Sequence, residues 1–398
     1  MTSLLLKNVR IMDGDTADIL IADGVISDIS PDINAPGVAT EECAGHIAIP
    51  GLVEAHTHLD KSLIGLPWYK NDVGGSSLKG MIDNEREIRN SLGIDMHVQS
   101  MRHALQTVSY GATLIRSHVD IDTVGGLRAL EGVMETADKL VDLVEIETVA
   151  FPQSGLLLWD GTATLMDQAL AMGADLVGGL DPCGVDKDPK GHLDIVFGLA
   201  EKHGKGIDIH LHERGELGMF SMEMILDRAE ALDMKGLVTI SHAFCLGMPD
   251  FRRVDAMLGR LSNMDVRIMT TAPTSSPAPM VKELDMHGIK IGAGNDGIQD
   301  TWGPYGNGDM LERAKFVGLR NNMRMDSEVK RALDICSGGG AEAMAKPRRA
   351  IEIGAPGDVV IVAGETVVQA VVNHSPRKLV VKGGHISARD GQTLVVAP

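Results

Sequence analysis

The chain has 398 residues and a formal net charge of −18, so it lacks the basic surface that nucleic-acid binding requires. Hydrophobic residues make up 44% of it, which suffices for one large α/β domain with a smaller satellite. The N-terminus lacks the charge order and apolar length of a signal peptide, and no stretch reaches 18 apolar residues, so we expect a cytoplasmic protein without a membrane partner.

Both ends of the sequence read as short strands. Residues 4–11 and 18–29 are apolar runs, and the second contains Asp23-Gly24, a strong hairpin signal. Towards the C-terminus, residues 358–362, 366–372 and 378–386 have the same texture. Two β segments that flank a long middle predict a small β-sandwich domain built from both termini, residues 1–49 plus 346–398.

The middle of the chain, residues 50–345, alternates apolar runs with helical stretches such as 95–108, 127–140, 193–203 and 220–232. The run before His56 and those near 112–118, 143–151, 174–181, 206–212, 236–242, 265–271 and 288–296 bring the number of strands to eight. Eight βα repeats predict an α/β fold, a (β/α)8 TIM barrel, with a doubly wound open sheet as the alternative. Polar residues follow nearly every strand, and only a barrel brings those ends to one mouth, so we favour the barrel.

The strand ends also hold the residue types of a metal site. His56 and His58 lie one residue apart, so on a strand they share a face. With His210 and Asp296 they would offer three imidazoles and one carboxylate, a set suited to one divalent ion, Zn²⁺ or Fe²⁺. His212 is a rival to His210, which we prefer for its more central place in the strand.

Other polar residues near these ends suggest roles beside the metal. We place His242 next to the ligands, where it would hold a hydroxide, and Asp296 could also take a proton from the nucleophilic water. Glu213, just past its strand, suits a carboxylate that carries protons. His118 is either a buried hydrogen-bonding residue or a substrate contact, and Asp181 either caps a helix or lies at the site. The loops at residues 60–85 and 300–302, which include Trp68, the segment 74–77 and Trp302, are expected to line the pocket.

Taken together, these motifs resemble the amidohydrolase superfamily, in the branch that holds bacterial cytosine deaminase and N-isopropylammelide amidohydrolase. The resemblance rests on residues 50–60, 117–120 and 150–155, the His210-x-x-Glu213 pair, Ser241-His242 and Asp296. It implies His56, His58, His210 and Asp296 as ligands, His242 orienting a hydroxide, Glu213 protonating a ring nitrogen and Gln153 bonding the ring amide. From their places at the strand ends and loops, we add His118, Asp181 and Trp302 as candidate substrate contacts. The fourth strand ends in Gly178-Gly179-Leu180-Asp181 without the bridging lysine of binuclear members, which implies one metal ion.

One departure bears on the substrate. Cytosine deaminase-like sequences have paired aspartates at the eighth strand, but Gly297 follows Asp296 here, which predicts extra room at that side of the pocket. We expect a metal-dependent hydrolytic deaminase of a cytosine-like heterocycle, such as cytosine or 5-methylcytosine, that releases ammonia. The alternatives are an N-alkylamino-triazine (ammelide-type) amidohydrolase that releases an alkylamine, and a creatinine- or pterin-type deaminase. The complete set of expected ligands argues against a metal-free scaffold protein. The expected partner is a small heterocycle, and assembly into a homo-oligomer stays open.

Overall fold

The computed structural model describes residues 3–73 and 77–397. Its strands, in chain order, are β1 Leu4–Ile11, β2 Thr16–Ala22, β3 Val25–Ser30, β4 Ala39–Glu42, β5 Ile47–Pro50, β6 Leu52–Thr57, β7 Ala112–Asp120, β8 Glu145–Phe151, β9 Leu176–Leu180, β10 Gly206–His210, β11 Val238–Ser241, β12 Arg267–Thr270, β13 Ile291–Ala293, β14 Val359–Val362, β15 Arg377–Lys382, β16 His385–Arg389 and β17 Gln392–Thr393. They form two separate sheets.

Helices connect and cover these strands. They are α1 Leu78–Ser91, α2 Met96–Ser109, α3 Arg128–Lys139, α4 Thr162–Met172, α5 Pro189–His203, α6 Gly215–Ala231, α7 Phe251–Asn263, α8 Val281–Met286, α9 Met310–Arg320, α10 Asp326–Ile335, α11 Gly338–Ala343 and α12 Val367–Asn373, with a 3-10 turn at Phe244–Gly247. Aspartates cap several of them, as Asp95 does for α2, because a side-chain oxygen can accept from an otherwise unpaired amide of the first turn.

Strands β6 to β13 form a parallel barrel in chain order, which confirms the predicted TIM barrel and excludes the open sheet. All nine residues of β7 are buried, as expected for a parallel strand covered on both faces. The barrel closes where the Asp296 amide donates to the His56 carbonyl over 2.9 Å. Gly294 permits that approach, because a Cβ there would collide with the same carbonyl. All strand ends therefore meet at one mouth.

The second sheet joins both ends of the chain, as the sequence predicts. Strand β14 pairs antiparallel with β5, with Ile361 opposite Ala48, so strands from the last 40 residues continue a sheet begun by the first 50. Arg349 ties this sheet to the barrel, because its Nε donates to Asp358 over 3.1 Å and its Nη2 to Glu145 over 3.0 Å. The division at residues 49/50 and 345/346 stays a prediction.

Residues 367–373 form helix α12, so the strand predicted at 366–372 is wrong. The run of valines and alanine fits either period, since Val367, Ala370 and Val371 also recur at helical spacing and are buried. Thr366 decides the outcome, because its hydroxyl accepts from the Gln369 amide over 3.0 Å and caps the helix.

None of the helices within residues 3–73 and 77–397 combines the length and the apolarity that a membrane crossing needs.

Candidate metal centre and active site

The two histidines at the end of β6 present Nε2 to the same point. The Nδ1 of His58 donates to the His118 carbonyl over 2.8 Å. The Nδ1 of His56 lies 3.0 Å from Ser241 Oγ, whose hydroxyl donates to Asp208 over 2.7 Å. The serine proton is thus committed to the carboxylate, and the serine oxygen accepts from His56. Both Nδ1 atoms then carry the ring proton, which leaves both Nε2 lone pairs free for a metal ion.

Asp296 faces these lone pairs. Its Oδ1 lies 3.6 Å from the Nε2 of His56 and 3.1 Å from that of His58. The His210 ring, at the end of β10, has its centroid 4.6 Å from that of His56. The Nε2 of His56 is buried without a hydrogen-bond partner among the described residues, as expected of a ligand atom. The donor set therefore fits a divalent ion.

His118 and His242 complete a cluster of imidazoles around this point. His118 is fully buried, with Nδ1 3.1 Å from the Nε2 of His210 and Nε2 3.6 Å from Asp208. It packs against the expected ligands, where it could itself offer a nitrogen, and it is not among the residues that line the cavity described below. Its contact with substrate stays a prediction. The Nε2 of His242 is 3.9 Å from Asp296 Oδ2. Both His242 and Asp296 have φ near +65 to +70°, a strained conformation typical of functional sites.

His212 and Glu213, which follow β10, have side chains that turn in opposite directions. His212 is the one that lines the cavity. Its Nδ1 lies 2.8 Å from Asp181 Oδ2, and its backbone amide donates to Asp181 Oδ1 over 2.6 Å. Burial lowers the pKa of His212 but the Asp181 carboxylate raises it by more, so the net shift is upward. Asp181 is itself buried, is not among the residues that line the cavity, and orients His212. Its contact with substrate stays a prediction.

Glu213 is not among the residues that line the cavity, and its role as a proton carrier beside the substrate stays a prediction. Its Oε1 accepts from the amides of Cys183 (2.8 Å) and Gly184 (2.6 Å), and its Oε2 accepts from the hydroxyl of Ser221. Both oxygens are thus bound by the β9–α5 loop and helix α6. Burial raises the pKa of this carboxyl. These contacts make Glu213 a link between two elements of the scaffold.

A cavity of about 700 Å³ opens at the mouth of the barrel, beside the histidines. Gln153 and Trp302 line it, where the sequence predicts them. Trp68 is 73% exposed and lies along a smaller neighbouring pocket, so it does not line the main cavity as expected. Residues 74–76 of the predicted pocket loop lie outside the described residues.

Lys61 is a cavity residue that the sequence analysis missed. It is 5% exposed, and its Nζ donates to Gln153 Oε1 over 2.6 Å. Glu85 lies 3.4 Å away and Asp120 3.8 Å away. Burial lowers the pKa of Lys61, but these carboxylates raise it by more, so the lysine is charged. Its place three residues after His58, at the same strand end, was the signal that could have identified it.

Gly297 does not leave the extra room that the sequence suggests. The carboxylate of Asp300 occupies that space, and a Cβ on Gly297 would collide with it. Asp300 is 5% exposed and lines the cavity. A carboxylate is therefore present on this side, although it comes from a different position in the sequence.

Comparison with known proteins shows the family to which this chain belongs. The sequence model of the Amidohydrolase family matches residues 40–388. The crystal structure of N-isopropylammelide isopropylaminohydrolase from Burkholderia multivorans ATCC 17616 is 47% identical, with a TM-score of 0.95 over 99% of this chain and 100% of that chain. N-isopropylammelide isopropyl amidohydrolase of Pseudomonas sp. (strain ADP) is 29% identical over 396 residues, 97% of each chain. The 5-methylcytosine deaminase of Klebsiella pneumoniae, liganded with 5-fluorocytosine, shares the fold with a TM-score of 0.82 at 23% identity over 97% of each chain.

Proposed function

The chain belongs to the amidohydrolase family and is a metal-dependent hydrolase of C–N bonds, and from that premise we propose that it removes an alkylamine from an N-alkylamino hydroxytriazine such as N-isopropylammelide. Water would add to the substituted ring carbon, the exocyclic C–N bond would break, and the products would be a hydroxylated ring and a free amine. The 47% identical relative named for this substrate supports the proposal.

The observation that carries the choice of substrate class is the opposite orientation of His212 and Glu213. A cytosine-type reaction, as expected from the sequence, assigns Glu213 to the protonation of a ring nitrogen. Both oxygens of Glu213 are instead engaged by Cys183, Gly184 and Ser221. His212 lies in the cavity with its Nδ1 against Asp181. This arrangement favours the ammelide-type reaction over the cytosine-type one.

His56, His58, His210 and Asp296 would hold the metal ion. A divalent ion at such a site supplies Lewis acidity and lowers the pKa of a water molecule towards 7. The hydrogen bonds from the Nδ1 atoms of His56 and His58 to Ser241 and the His118 carbonyl fix both rings in advance of binding.

His212 is the residue that we assign to proton transfer. Asp181 holds its Nδ1, which fixes the ring orientation and leaves Nε2 for the cavity. A hydrolysed C–N bond needs a proton on the departing nitrogen, because an alkylamide anion is a very poor leaving group. The Nε2 of His212 can deliver that proton, and Asp181 stabilises the cationic form of the ring.

Lys61 and Gln153 are assigned to ring binding. The Lys61 ammonium donates to Gln153 Oε1, which orients the amide so that its NH₂ group can face the cavity. The ammonium has further N–H donors. A hydroxytriazine in its keto form presents ring carbonyl oxygens, which accept such donors, so this pair suits the oxygenated edge of the ring.

The test compares substrates on the metal-loaded protein. Isopropylamine release from N-isopropylammelide is measured by chromatography, and ammonia release from cytosine and 5-methylcytosine by a coupled assay. We expect kcat/KM for the triazine to be higher by at least about a hundredfold, the order of discrimination that an exacting polar site achieves. A higher kcat/KM for either pyrimidine would overturn the proposal in favour of the cytosine-type reaction. Chelator-treated protein is the control for metal dependence.

A further inference from the structure

Asp300 has one carboxylate oxygen that is held by the protein and one that is not. Its Oδ1 accepts from the amides of Trp302 (2.8 Å) and Gly303 (3.0 Å), a tight turn after β13. Its Oδ2 lies against Gly297 and accepts no hydrogen bond from the residues that the structure describes. Because Asp300 is 95% buried and lines the cavity, this oxygen can be satisfied only from the cavity side.

Asp300 Oδ2 keeps some exposure towards the cavity, and a carboxylate oxygen that is largely removed from water is costly until a donor reaches it from that side. The turn that holds Oδ1 also fixes the direction of Oδ2, so the group cannot rotate freely towards solvent. Gly297 is part of the same arrangement, because any side chain there would displace the carboxylate. The two residues therefore form a matched pair that keeps one acceptor directed at the cavity next to Asp296.

We propose that Asp300 determines specificity by accepting, through Oδ2, a hydrogen bond from a ring N–H of the substrate, and that Gly297 is required to leave room for this carboxylate. The proposal rests on the proposed function and deepens it. A hydroxytriazine in its keto form carries ring N–H groups as well as carbonyl oxygens. Lys61 and Gln153 supply donors for the oxygens, and Asp300 supplies the acceptor that those residues lack. The cavity would thus select rings that present both kinds of group.

The test uses two variants that disturb the pair differently. Asp300→Asn retains an oxygen for the Trp302 and Gly303 amides but replaces the free acceptor with an NH₂ donor. Gly297→Ala retains the carboxylate and displaces it. Measured at pH 8.5, above the pKa of about 7 of Asp300, each should lower kcat/KM for N-isopropylammelide by about ten- to a hundredfold, the usual loss for a hydrogen bond to a charged group. The double variant should be little worse than the worse single one, because both changes remove the same interaction.

Gly198→Ala is the control for a glycine-to-alanine change, since Gly198 lies on the exposed side of α5 away from the cavity lining and a Cβ there meets nothing within 4 Å. Its kcat/KM should stay within about twofold of wild type, the range of a neutral surface change. Metal content and Tm of every variant verify that the site and fold persist.

Ring-methylated substrates give a second readout that does not depend on variant stability. Methylating the ring nitrogen that donates to Asp300 removes the N–H, so one N-methyl isomer should react equally slowly with wild type and Asp300→Asn. The assignment of Asp300 would be overturned, and the proposed function kept, by either of two results. In the first, wild type turns over the triazine and Asp300→Asn has the same kcat/KM; in the second, the losses in the double variant are additive. Absence of amine release by wild type would instead overturn the proposed function, and this inference with it.

Discussion

Replacing Asp181 with asparagine tests whether His212 carries protons in this site. The change keeps the size of the side chain and an oxygen that can accept from the His212 and Glu213 amides, which now donate to Asp181 Oδ1 over 2.6 and 3.2 Å. It replaces the oxygen that faces His212 Nδ1 at 2.8 Å with an NH₂ donor. The imidazole must then accept at Nδ1, so its proton moves to Nε2 and the neutral tautomer is reversed.

The expected loss follows from the two functions of the carboxylate. Asp181 selects the tautomer and stabilises the imidazolium, and a general acid–base group contributes about 10²- to 10⁴-fold to rate. An aspartate-to-asparagine change in a serine-protease triad costs about 10⁴-fold for the same reason. We therefore expect kcat of Asp181→Asn to fall by about 10²- to 10⁴-fold, or about 3–5 kcal/mol in barrier height. Metal content should not change, because Asp181 offers no atom to the ligand set.

The assay is amine release under substrate saturation, with metal content measured by elemental analysis of the same sample. Glu213→Gln is the matched control, because it is an adjacent carboxylate-to-amide change outside the cavity. It should lower Tm, since it weakens contacts to Cys183, Gly184 and Ser221, yet change kcat by less than about tenfold. If Asp181→Asn kept kcat within about tenfold while Glu213→Gln lost more than a hundredfold, Glu213 would be the proton carrier and the reasoning would fail.

Three further predictions concern metal binding, pH and stability. His210→Ala should lose the bound metal and all turnover, because a three-ligand remnant binds weakly; full occupancy by elemental analysis would place the ligand elsewhere. Burial, and after it the neighbouring Glu85 carboxylate, raises the pKa of Asp300 from 3.8 in the unfolded chain to about 7 in the folded protein. Between about pH 4 and pH 7 the folded state therefore binds a proton that the unfolded state has lost, and the free energy of unfolding falls as pH rises through this range. The stability gained by Asp300→Asn should thus be greater at pH 8 than at pH 5, by about 2–3 kcal/mol, and equal gains in thermal melts at both values would contradict this. Arg349→Met should cost about 1–3 kcal/mol in urea unfolding, because it removes the charged donor that contacts the buried Asp358 at 3.1 Å while Lys382 stays 3.7 Å from that carboxylate; a loss below about 0.5 kcal/mol would show that the pair contributes little.

The sequence by itself determined the barrel and the positions of the expected metal ligands. Apolar residues recur with the period of a strand or of a helix, and a short stretch of sequence is enough to recognise that period. His56 and His58 lie on one face because the period of a strand is two residues, and the polar residues converge because parallel strands end at one mouth. The same local evidence failed at residues 366–372, where the apolar pattern fits both periods and the Thr366 cap decides for a helix.

Only the tertiary structure decided which side chains beyond the strand ends reach the cavity. Strand β10 ends at His210, so its alternation no longer fixes the direction of His212 or Glu213. Asp181, 31 positions away in the chain, holds His212 in the cavity, and the β9–α5 loop and helix α6 draw Glu213 out of it. Likewise, the carboxylate beside Gly297 comes from a turn that folds back after β13. Loop side chains are directed by hydrogen bonds between residues distant in sequence, and no local period encodes those bonds.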